Sequence, residues 1–227
     1  MKVNTALKIG ILSSLSLISI VALGIWLYKS CLNNTHKRYY PRNLRNLQSL
    51  SRRLNVRLTA ITAPISMKSG KHQISLKPAD TKYLNFYIPK FIAELLKYPP
   101  EVISDIGLKE VMIGSSLFLD QHACGGMQSK YLHMLFFDCR YVSLDQWTRA
   151  IIHHEMFHLI DWKDGVIKQD AEWEKLNSSE FSYGSGGWSM HSESNGTATL
   201  LDSNLHGFLN RYSMSGLEEA KQKYLPT

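Results

Sequence analysis

Two histidines four residues apart with a glutamate between them, His154, Glu155 and His158, are the residues of this chain whose types and spacing most directly do chemistry. On a helix, positions i and i+4 share a face, so His154 and His158 turn an imidazole nitrogen toward one metal ion while Glu155 reaches a water on that ion. The chemistry this trio supports is metal-assisted hydrolysis, with Glu155 as general base. His153 does not fit the register, because its partner four residues on is Phe157, and it reads as a neighbour of the site or a substrate contact.

The elements needed to position these groups are visible around them. No Gly or Pro interrupts 144–162, and Ile151, Ile152, Phe157, Leu159 and Ile160 give that segment a surface to bury, which predicts a helix with Asp145 near its start. Upstream, Arg57–Ile61, His72–Leu76, Glu110–Phe118 and Tyr131–Phe137 read as strands, the last two joined by a loop at Asp120–Lys130. Leu44–Leu54 reads as an amphipathic surface helix. Thr81–Ile88 leans to strand through its aromatics, and Pro89 suits the first turn of a helix ending near Tyr98, before Pro99 and Pro100. Beyond the motif, Asp170–Leu176 reads as a helix and Asn177–Gly187 as a Gly/Ser-rich loop. The expected fold is α+β, a zincin-like single domain with a small sheet packed on the metal-binding helix and a hydrophobic helix before it.

That leading helix comes from residues 9–28, which carry no charge and are about long enough to cross a bilayer. The chain divides accordingly into a signal peptide or membrane anchor (1–30), a basic juxtamembrane stem and helix (31–56) and the metallopeptidase domain (57–227). Part of the net charge of +7 lies in the stem, where arginines suit anionic headgroups. Nucleic-acid binding is the weaker alternative, since no regular aromatic-interleaved basic motif accompanies them, so the expected partners are a protein or peptide substrate and a membrane, with no nucleic acid. The positive charges after the apolar run favour a cytoplasmic domain, whereas a Cys124–Cys139 disulfide would favour an oxidising compartment; two buried thiols are the equal alternative. The signal-like start places the domain outside the cytoplasm, membrane-anchored or secreted.

Catalytic zinc takes a third protein ligand and leaves one position open. A third histidine at the metzincin spacing is absent, since Asp161 and Asp164 stand at those places. The remaining candidates are Asp161, Glu172, Glu174, Glu180, His191, Glu193, Glu218 and Glu219, with Asp161 better placed to orient a ligand histidine than to bind metal.

His154, Glu155 and His158 followed by Asp161, together with the stretch from Gly207 to Glu219, resemble the gluzincin family that includes the catalytic domain of anthrax toxin lethal factor. Trp173–Asn177 and Phe181–Gly184 are similar to a group of zinc-metallopeptidase-like proteins of bacteria and fungi. In that family a tyrosine precedes the zinc-binding glutamate by seven positions, a spacing that Tyr212 and Glu219 match. The resemblance implies a Zn2+ held by His154, His158 and Glu219, Glu155 as base, and Tyr212 as donor to the oxyanion. Glu180 is the rival third ligand. A different class, a catalytically silent zinc-binding domain of a membrane-anchored interaction protein, would keep the fold without needing Glu155.

Overall fold

The structure is a computed structural model that describes residues 22–27, 40–143, 145–165, 170–184, 186–187, 190, 204–205, 208 and 210–222. Most of the apolar run at 9–28 lies outside the described residues. Its described part, 22–27, is helical and leaves Leu23, Ile25, Trp26 and Leu27 exposed. Among the described residues no helix is long and apolar enough to cross a membrane.

Helix α1 (residues 40–54) leads into β1 (Arg57–Ala60), β2 (Ile65–Ser69), β3 (His72–Lys77), α2 (Thr81–Leu95) and α3 (Pro100–Asp105). There follow β4 (Glu110–Leu119), β5 (His122–Ala123), β6 (Gly126–Ser129), β7 (Met134–Asp138) and α4 (Asp145–Lys163). A short α5 (Ala171–Glu174), a 3₁₀ turn (Tyr212–Met214) and α6 (Leu217–Gln222) complete the described elements. The result is an α+β fold around a small mixed sheet in the order β2-β3-β4-β7-β6, with β1 and β5 also paired to β4.

Strand β4 organises this sheet. Its first half pairs in parallel with β1 and β7, and its second half pairs antiparallel with β3 and β5. Val111 and Ile113 enter the main core, whereas Leu117 enters a second core with Ile74, Leu76 and Phe136. Strict alternation would put all three on one face. The positive φ of Ser116 (51°) breaks the alternation between them and turns the strand over. Strand β7 is buried on both faces, Leu135 and Phe137 toward the main core and Met134 and Phe136 toward the second.

The main core also receives Leu47, Leu50 and Leu54 from α1, so the helix that the sequence placed in a stem is anchored beside α2 and the sheet. From α4 come Ile152, Met156 and Leu159, a stripe at i, i+4 and i+7 that fixes which way the helix faces. Between β7 and α4, Asp138 accepts the Leu117 N–H at 3.2 Å and pairs with the Arg140 guanidinium at 2.6 Å. This ties the turn that launches α4 to the second half of β4.

Three expectations are corrected. Thr81–Ile88 is helix, not strand, and Pro89 lies inside α2. The reason is a side-chain cap, with Asp80 accepting the Lys82 N–H, followed by the helical stripe Leu84, Tyr87, Ile88, Phe91 and Leu95, all buried. The Asp120–Lys130 loop contains β5 and β6, which fold as local hairpins onto β4 and β7; at two and four residues they are too short to show an alternating pattern. The last strand starts at Met134, because His133 at φ 54° turns the chain into it. The two described cysteines are also settled: Cys124 and Cys139 are free thiols, and burial pushes both up to about 12. They therefore lend no support to an oxidising compartment.

Candidate metal centre

The stripe next to the core-facing one on α4 carries Ile151, His154, Glu155 and His158, and this stripe floors a cleft of about 490 Å³. The two imidazoles meet edge to face with centroids 4.7 Å apart. Glu155 and His158 are buried and His154 nearly so. Strand β6, the sheet edge, lies directly against them. A Cβ at Gly126 would come within 2.5 Å of Ile151 Cγ2 and 2.8 Å of Glu155 Cγ, so only a bare backbone passes there.

The third carboxylate arrives on α6. Glu219 Oε2 lies 3.4 Å from His154 Nε2 and Glu219 Oε1 lies 3.9 Å from His158 Nε2. One ligand atom from each of His154, His158 and Glu219 falls within 4.8 Å of the others. Metal–ligand bonds of about 2.0–2.2 Å in a tetrahedron put donor atoms about 3.3–3.6 Å apart. The trio fits such an ion with little adjustment. The structure thus brings together the two histidines and the glutamate that the resemblance implied.

Local sequence explains how Glu219 gets there. The turn before α6 is wound by its own small polar side chains: Asn210 Oδ1 accepts the Ser213 N–H at 2.9 Å, and Ser215 Oγ donates to the Tyr212 carbonyl at 2.6 Å. That winding aims Tyr212 inward, its ring 6.1 Å from the His154 ring and its hydroxyl donating to Glu219 Oε1 at 3.1 Å. Burial, and then the charges of Glu219 and Glu155, hold the Tyr212 phenol well above its ordinary value, so it stays protonated and donates. The segment before this turn is laced to it, with the Gly184 N–H on the Met214 carbonyl and the Gly186 N–H on the Ser215 carbonyl.

The other sequence candidates lie elsewhere. Glu172, Glu174 and Glu180 are exposed and outside the converging group, while Glu218 lines the cleft without joining it. Asp161 is engaged away from the histidines, accepting from Lys221 at 2.7 Å. His153 points to α2, where its Nε2 meets Glu94 Oε2 at 2.8 Å and its Nδ1 the Tyr98 hydroxyl at 2.7 Å. It is a neighbour of the site and not a substrate contact. His191 and Glu193 lie outside the described residues. Sequence reasoning missed Lys221 and the glycines at 126 and 187; only the Gly125–Gly126 and Gly186–Gly187 doublets hinted at close backbone approach.

The fold and site define a class in physical terms: an α+β protein with a His–Glu–His helix and a second helix that brings a third possible metal donor to the two histidines. No protein-family model, curated protein or solved structure matches the chain.

Proposed function

We propose that the protein is a zinc-dependent metallopeptidase with a zincin-like domain. The observation that carries this reading is the convergence of His154, His158 and Glu219 in the same cleft that Glu155 lines. Two imidazoles and a carboxylate are a donor set suited to zinc, and such a set would leave a fourth position for water. When bound, the zinc would polarise a scissile carbonyl and acidify a water. Glu155 would take the proton of the attacking water and deliver it to the leaving amine. Tyr212, protonated and beside the metal position, would swing its hydroxyl from Glu219 to the developing oxyanion. Strand β6, bare at Gly126, offers an edge along which an extended peptide would lie across the cleft.

The same reading tethers the domain to a membrane through residues 9–28, extracytoplasmic or secreted after cleavage. Its support is the apolar run in the sequence, the exposed apolar side chains of 22–27, and a solvent face of α1 that carries Arg42, Arg45, Arg52 and Arg53.

The test uses the full-length chain purified in detergent. Metal analysis should return close to one zinc per chain, and a mixture of unrelated peptides should be cut. Glu155→Gln should keep the zinc and lose cleavage by at least about 100-fold. Zinc without cleavage in the wild-type chain would leave a silent metal-binding domain, and absence of zinc would remove both readings.

A further inference from the structure

We infer that Lys221 is a positioning residue for the metal centre: clamped between Asp161 and Asp170, it sets the depth and rotation at which α6 presents Glu219 to the two histidines. The inference rests on the metal-site reading and adds the device that assembles it.

Lys221 Nζ lies 2.7 Å from Asp161 Oδ1 and 2.9 Å from Asp170 Oδ2. The Lys221 and Asp161 side chains are only 6% and 4% exposed. Asp161 is the next residue but two after His158 on α4, and Asp170 caps α5 by accepting the Trp173 N–H at 3.0 Å. One ammonium therefore joins three elements around the centre.

Helix α6 needs such a device. Its described part is six residues long, and among the described residues its buried apolar anchors are Leu217 and Ala220. Small apolar contacts let a helix slide and roll. Glu219 and Lys221, two residues apart, leave the helix in different directions, one toward the histidines and one toward the end of α4. Two fixed points in different directions determine both translation along the axis and rotation about it. A buried ion pair is a poor source of net stability compared with apolar packing of the same volume. What it does supply is a defined distance and direction, which a metal ligand requires. Asp161 is thus tied to the third ligand's helix, where the sequence had it orienting a histidine.

The experiment measures zinc affinity of the full-length chain in detergent by competition with a chromophoric chelator, and the visible absorption of the cobalt-substituted protein. Lys221→Met should bind zinc about 10–100-fold more weakly with an unchanged far-UV circular dichroism spectrum. Its cobalt spectrum should move toward that of Glu219→Ala, and Lys221→Arg should recover most of both. Affinity within twofold of wild type with an unshifted cobalt spectrum overturns the proposal. If Lys221→Met does not fold, Asp170→Ser decides, since serine still caps α5 but cannot reach the ammonium. A several-fold loss of affinity supports the clamp, and none overturns it. A wild-type chain that takes up neither zinc nor cobalt defeats the metal-site reading itself, and the clamp with it.

Discussion

Gly187 lies so close to Glu219 that a side chain there and the carboxylate cannot share the space: an added Cβ would collide with Glu219 Oε1 and with the Tyr212 hydroxyl. The backbone of residue 187 thus forms a wall of the candidate metal centre. Gly187→Ala should leave the core intact, because the collision is with two functional side chains and not with the sheet. Zinc affinity should fall by at least about 10-fold and peptide cleavage with it, while the melting temperature of the metal-free protein changes little. Chelator competition and calorimetry on the same preparations check both halves. Unchanged affinity would mean that Glu219 does not hold the metal from this position.

Glu219 and Glu180 compete for the role of third ligand in sequence, and the structure separates them, one buried beside the histidines and the other exposed. Glu219→Ala should reduce bound zinc below detection after dialysis, as His158→Ala should. Glu180→Ala should retain close to one zinc per chain. Metal analysis by emission spectrometry distinguishes them, and the reverse outcome would overturn the assignment.

Much of this centre was legible in the sequence, and the reason is locality. His154, Glu155 and His158 lie within five residues of one helix, so the 3.6-residue period alone puts them on one face. Glu219 was reachable only through its spacing from Tyr212, because nothing local tells a first-turn glutamate that binds metal from one that faces solvent. Strand β6 and the Lys221 clamp were not legible. Gly126–Ser129 pairs with the neighbouring β7 but is only four residues long and starts on glycine, too short for an alternating signal, whereas Lys221 is held by partners 60 and 51 positions away (221 − 161; 221 − 170). The α2 error has a different cause: Tyr83, Phe86 and Tyr87 raise strand propensity, and Pro89 reads as a helix start, while the stripe from Leu84 to Leu95 decides the outcome by burial.

The proline inside α2 is compensated from α1. Pro89 has no N–H to give the carbonyl four residues back, that of Asn85. Asn43 of α1 donates to that carbonyl instead, its Nδ2 3.1 Å away and also 3.1 Å from Asn85 Oδ1. Both asparagines are buried. Asn43→Ala should therefore cost about 1–3 kcal/mol in denaturant unfolding. Pro89→Ala should be milder in the Asn43→Ala background than alone, because the restored N–H then satisfies the carbonyl that Asn43 no longer serves. Additive effects in this double-mutant cycle would show that the two devices are independent.

On the far side of α4 from the cleft, buried Glu94 gathers Lys97 Nζ at 2.6 Å, His153 Nε2 at 2.8 Å and Arg149 Nε at 3.6 Å, with Tyr98 behind His153. Burial alone would raise this carboxyl, but its hydrogen bonds from Lys97 and His153 and their charges together hold it below the ordinary value. Tyr98 goes the other way, raised to about 12 by burial and then by Glu94. A carboxyl depressed in the folded state contributes stability that is present above its unfolded value, about 4.3, and is lost as pH falls through the folded value. The melting temperature of the wild-type protein should therefore exceed that of Glu94→Gln at neutral pH, and the gap should narrow as pH is lowered below about 4.3. A gap that stays constant across pH 7 to 3 would show that Glu94 acts through packing and not through its charge. Because His153 precedes His154 on α4, loss of this anchor should also loosen the metal helix, and hydrogen exchange at 150–158 should quicken in Glu94→Gln before global unfolding sets in.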